Sequence, residues 1–80
     1  MEVNHRLRSH ALEAVENQLR DGNPPITTET LTRLIGEGIT EKKAKEMIAA
    51  VLLEEIYKTL KNSEPYDEDR YARNLNKLGK

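Results

Sequence analysis

Residues 34–48, Leu34-Ile35-Gly36-Glu37-Gly38-Ile39-Thr40-Glu41-Lys42-Lys43-Ala44-Lys45-Glu46-Met47-Ile48, end one helix and begin another within a few positions. Gly38 suits the left-handed residue that terminates a helix, and Ile39 just after it can pack back on Leu34, as such an ending prefers. Thr40 is a good N-cap, and Glu41 complements the positive end of the following helix dipole. Lys42, Lys43 and Lys45 then crowd a terminus that ordinarily attracts acids. Periodicity on both sides of this turn is helical, and no segment alternates with period two, so the chain is expected to be all-α.

Downstream, a third helix is expected from Glu41 to about Asn62. Its run Met47-Ile48-Ala49-Ala50-Val51-Leu52-Leu53 is apolar on every side and should be surrounded by other helices. Ala44, Met47, Ile48 and Val51 share one face, while Leu52, Leu53, Ile56, Tyr57 and Leu60 share roughly the opposite one. Ser63-Glu64-Pro65 ends this helix, and Asp67 caps a fourth that carries Glu68 and Asp69 in its first turn. Tyr66 and Tyr71 stand at staple spacing, and Tyr71, Leu75 and Leu78 make the buried stripe. Arg70, Arg73, Lys77 and Lys80 fall opposite that stripe and read as a solvated face.

Upstream, a short second helix is expected from Thr27 or Thr28 to Glu37, with Thr27 as cap and Ile26 stapled on Leu31. Leu31, Leu34 and Ile35 supply its buried edge. A first helix runs from about Asn4 to Asp21, with Val3, Leu7, Ala11, Ala14 and Val15 at three-four spacing and Leu12 and Leu19 widening the stripe. Gly22-Asn23-Pro24-Pro25 stops it. Gln18 lies within that apolar arc and is expected to bond the backbone of this loop; Asn4 and Arg8 lie in the arc nearer the N-terminus. The expectation is therefore one domain over residues 1–80. It is a compact all-α bundle of four helices, at about 4–21, 28–37, 41–62 and 67–78, built round the long third one.

Composition narrows the function classes. Apolar residues are 36% of 80 with no Phe or Trp, so Leu, Ile, Val, Ala and Met must build the core. The absence of cysteine removes disulfides and thiolate zinc sites and suits a reducing, cytoplasmic compartment. Met1-Glu2-Val3-Asn4-His5-Arg6 has no apolar h-region, so no signal peptide is expected. No stretch approaches the roughly 18 apolar residues of a membrane span. A formal charge of −1 supplies no global attraction to nucleic acid or to acidic membranes.

Candidate chemistry is sparse. Glu2-Val3-Asn4-His5 has the Glu-x-x-His spacing of di-metal bundles, with Glu13, Glu16, Glu46, Glu54 and Glu55 available, but such sites need the motif on two helices. His5 and His10 lie about 140° apart on a helix and cannot share an ion. No metal site, no cofactor and no catalysis are expected: there is no nucleophile elbow or phosphate loop, and a small bundle offers little room for a pocket. The turn itself, over residues 36–45, is similar to a helix-hairpin-helix motif, which aims helix N–H groups at a nucleic-acid phosphate. Gly38, Thr40, Lys42, Lys43 and Lys45 would carry that contact, although Thr40 stands where a second glycine is common. The alternative is a Gly-terminated helix, a Thr-capped one and lysines that fan into water, and the lysines are expected to be solvated.

The order of features carries a resemblance. His10-Ala11-Leu12 leads to Val15-Glu16-Asn17-Gln18, Asn23-Pro24-Pro25 and Leu31-Thr32-Arg33-Leu34. Gly38-Ile39, Ala44, Val51-Leu52-Leu53-Glu54-Glu55-Ile56-Tyr57 and Pro65-Tyr66-Asp67-Glu68-Asp69-Arg70-Tyr71 follow. Nearly the whole chain thereby resembles a group of small bacterial helical proteins of unknown function. The resemblance implies a helical fold and brings no activity with it. Members often carry a His-x-x-x-His pair where this chain has Lys42 and Glu46, so a metal role for that pair does not carry over. The expected function is that of a non-catalytic protein–protein interaction module with an unknown protein partner, able to form a homodimer through its third helix. Nucleic-acid binding at the turn is the alternative.

Overall fold

The computed structural model describes residues 5–79, with side chains from Arg6 onward. It contains α1 (His5–Asp21), α2 (Pro25–Gly36), α3 (Glu41–Asn62) and α4 (Glu68–Asn76), with no strand among the described residues. The Glu2-to-His5 spacing and Asn4 fall outside that description. The chain is an all-α bundle with the third helix longest, as its periodicity requires.

Helix ends follow local chemistry. Gly22, at φ 66°, stops α1 in the left-handed region, where the Asn23 N–H donates to the Gln18 carbonyl at 3.1 Å. Gly38, at φ 93°, does the same for α2: the Gly38 N–H reaches Ile35 O at 3.0 Å and the Ile39 N–H reaches Leu34 O at 3.1 Å. Those two bonds are the paired closure of a Schellman ending, with Ile39 packed against the core beside them. Thr40 Oγ1 accepts from the Lys43 N–H at 3.2 Å and Asp67 Oδ1 from the Arg70 N–H at 3.1 Å, capping α3 and α4.

The start of α2 differs from the sequence expectation. Pro24, extended at φ −74° and ψ 150°, is the N-cap position and Pro25 is the first helical residue. A proline there loses no hydrogen bond and already has helical φ, so the prolines that end α1 also begin α2. Thr27 is therefore no cap: its side chain is fully buried and donates to Gln18 Oε1 at 2.7 Å. The buried edge of α2 is Thr27, Thr30 and Leu34, while Ile35 is 43% exposed and Leu31 only half-buried.

The core joins Ala11 and Val15 of α1, Leu34 of α2, Ala44, Ile48, Leu52 and Leu53 of α3, and Tyr71 and Leu75 of α4. Both α2 and α3 contact every other helix, whereas α1 and α4 make no backbone contact with each other. Side chains bridge that gap. Tyr71 Oη donates to Gln18 Oε1 at 3.1 Å, so the one Gln18 oxygen ties α1 to α2 and α4. Gln18 thus bonds buried side chains rather than the Gly22–Pro25 loop; only its backbone carbonyl serves the loop. Burial pushes the Tyr71 phenol above its ordinary pKa, keeping it a donor.

Two charged residues hold α4, and neither role was visible in the periodicity. Glu55 is buried, and the Arg70 guanidinium grips it by Nε at 2.9 Å and Nη2 at 2.7 Å. Arg70 thus leaves the expected solvated face and points into the α3–α4 seam, and Glu55 is no free metal ligand. From the other side, Arg33 donates to the carbonyls of Leu75 and Leu78 at 3.0 and 2.8 Å, the first of which also accepts from the Leu78 N–H. The chain then passes so close to Glu37 and Leu34 that a Cβ on Gly79, at φ 80°, would collide with both. α4 ends at Asn76, two residues before the expected Leu78. Leu60, assigned to a buried stripe, is 68% exposed, because none of the described residues of another helix covers α3 there.

Two predictions follow from these buried polar groups. Arg70→Met should destabilise the fold by about 3 kcal/mol, roughly 12 to 24 °C in midpoint, by leaving the Glu55 carboxylate buried and unpaired. The Arg70 guanidinium holds the Glu55 carboxyl below its ordinary 4.5, so this contribution is complete above about pH 4.5 and lost as pH falls through the lower folded value. Urea titrations at pH 7 and pH 3 should show the wild-type advantage over Arg70→Met narrowing in acid; a constant gap would contradict it. The buried Thr30 hydroxyl has no hydrogen-bond partner among the described residues. Thr30→Val, of equal shape, should therefore stabilise by about 1 kcal/mol, and a loss of stability would show that the hydroxyl is satisfied.

Candidate interaction surface on α1 and α3

The turn between α2 and α3 brings the five sequence-predicted residues into one short segment but does not unite their charges. Gly38 is exposed and left-handed, and the Thr40 hydroxyl occupies the Lys43 N–H. Lys42 and Lys43 are exposed. Lys45 turns away to α1, where its ammonium meets Glu16 at 3.0 Å and its helix neighbour Glu41 at 3.2 Å. Both carboxylates hold the Lys45 ammonium above its ordinary pKa. Lys45, expected to be solvated, is thus an α1–α3 tie.

Among the described residues no group of three or more His, Asp or Glu side chains converges to hold a metal ion. His10 is exposed on α1.

A different feature emerges on the other side of α3. Glu16 meets Lys45 near one end, and Arg8 lines the same groove as Tyr57 near the other, so α1 and α3 run antiparallel. Between them lies an open groove of about 620 Å³. Its existence corrects the expectation that so small a bundle has little room for one. The cause is local: Ala11, Ala49 and Ala50 line it, and side chains of one methyl group cannot fill the space between two helix backbones. Leu12, Leu53 and Tyr57 form its larger apolar walls, and Arg8, Ser9, Glu46 and Glu54 complete the lining.

The groove continues into a stripe along α3. Glu46, Ala50, Leu53, Tyr57 and Leu60 follow one another at intervals of four, three, four and three residues, the seam spacing of a helix that meets another helix lengthwise. Leu53 is buried, Tyr57 half-buried, and Ala50 and Leu60 are exposed. Glu55 lies on roughly the opposite side of the helix, committed to Arg70. The three-four spacing was readable in the sequence, which assigned Leu53, Tyr57 and Leu60 to an interior face. What periodicity could not supply is that α4 is drawn to the Glu55 side, leaving the seam with no helix over it among the described residues. Chemically, the surface offers apolar contact with charged margins, the composition of helix-in-groove recognition.

Comparison of the chain with protein-family models, with curated proteins and with solved structures finds no match, so the resemblance to small bacterial helical proteins stays an expectation. No described helix is long and apolar enough to cross a membrane.

Proposed function

We propose that the protein is a non-catalytic interaction module that binds a protein partner along the α1–α3 face. The observation that carries this reading is that the α3 seam, beside a groove lined by alanines, leaves Ala50 and Leu60 exposed and Tyr57 half-buried. A helix that seals the core on three sides and still presents heptad-spaced apolar residues outward has more apolar surface than its own fold uses. The groove lining favours recognition over catalysis, since the carboxylates among its described residues stand between apolar walls. A cytoplasmic setting in a bacterial cell suits a chain without cysteine and agrees with the resemblance described above.

The test is a photo-activatable phenylalanine analogue at Ala50, compared with one at exposed Thr28 on α2, in cells producing the protein. A discrete protein adduct at Ala50 that is absent at Thr28 is expected; no adduct at Ala50 would remove the reading.

Phosphate contact through Gly38, Thr40, Lys42, Lys43 and Lys45 has less support, because Lys45 is engaged by Glu16 and Glu41. Its two remaining lysines should give no measurable affinity for labelled duplex DNA or single-stranded RNA by fluorescence anisotropy at 50 mM salt. Salt-dependent binding that disappears in Lys42→Ala/Lys43→Ala would instead favour the nucleic-acid reading.

A further inference from the structure

Resting on the reading of the α1–α3 face as an interaction surface, we infer that its occupant is a second copy of this chain, packed antiparallel on α3 about a two-fold axis. The argument is one of self-complementarity, which a two-fold interface demands of the patch that forms it. The seam has a hollow end and a protruding end. Ala50 opens onto the groove, and Leu60, 68% exposed, projects ten residues later, about 15 Å along the helix. When two copies of α3 run antiparallel with the axis level with residue 55, Leu60 of each copy stands over Ala50 of the other. Half-buried Tyr57 of each copy then stands level with Leu53 of the other, whose side chain is already buried in its own core. A large side chain meets a small one twice, and bulky residues fill the middle.

Charge follows the same polarity. Exposed Glu46 and Glu54 flank the hollow end, and exposed Lys58 and Lys61 flank the protruding end. The antiparallel register sets acidic margins against basic ones at both ends, within one helical turn of each other. A parallel register would oppose like charges and set Leu60 against Leu60, so the pattern selects orientation as well as partner.

The experiment uses the full chain. Light scattering after size exclusion, and sedimentation equilibrium from 5 to 500 µM, are expected to show a mass that doubles with concentration. Leu60→Glu, with unchanged helicity by circular dichroism, should weaken the dimer at least roughly tenfold, by putting two charges over two apolar hollows. Independently of folding effects at Leu60, the variants Glu46→Lys/Glu54→Lys and Lys58→Glu/Lys61→Glu should each be monomeric alone and dimerise when mixed. A wild-type monomer at 500 µM overturns the inference, as does a dimer indifferent to Leu60→Glu or charge variants that fail to pair. The two readings separate at Ala50: an adduct to a different protein, with a monomeric chain, removes only the second copy, whereas no adduct removes both.

Discussion

A nine-residue helix is too short to persist in water by its own hydrogen bonds, and the fold depends on how the Glu55–Arg70 pair secures one. α4 supplies Tyr71 and Leu75, both fully buried, so the core is complete only when this helix is docked. Apolar area alone would let so small an element slide or rotate on α3. The two-nitrogen grip of Arg70 on a buried carboxylate fixes its rotation, since the guanidinium meets the carboxylate as a fork in one orientation. Arg33 then fixes the far end by holding the Leu75 and Leu78 carbonyls. Gln18 fixes the inner face through Tyr71. Three directional contacts from three different helices thus hold the fourth.

The consequence reaches the opposite side of α3. Because Glu55 draws α4 to one side and α1 covers another, no helix among the described residues lies over the seam through Ala50, Tyr57 and Leu60. Alanines at positions 11, 49 and 50 hollow the adjoining α1–α3 junction instead of filling it. Structural positions and the proposed contact surface therefore divide around the circumference of one helix. Positions 44, 48, 51, 52, 53 and 55 serve the fold, and Ala50, Tyr57 and Leu60 are the positions on which the proposed contact rests.

The turn at Gly38 has a plainer explanation than its lysines suggested. Gly38 and Ile39 close α2 through two backbone bonds, Thr40 opens α3, and Lys45 reaches back to Glu16. A cation near the start of a helix is disfavoured by the dipole, but Glu41 one turn before Lys45 and Glu16 across the junction offset it. That leaves Lys42 and Lys43 as solvated residues of an ordinary helix start.

The sequence by itself determined the number of helices, the caps at Thr40 and Asp67, the Gly38 terminator and most of the core, including Val15, Ile48, Tyr71 and Leu75. Those properties depend on residues within a turn or two of one another, where periodicity and backbone preference are decisive. Tertiary structure alone decided what each long or polar side chain would meet. Arg70 and Glu55 are fifteen residues apart, Gln18 and Tyr71 fifty-three, and Arg33 and Leu78 forty-five. An arginine opposite an apolar stripe reads as solvated until a buried carboxylate from another helix arrives beside it. The same limit hid the groove, because periodicity shows which residues share a face and not whether a neighbouring helix will cover it.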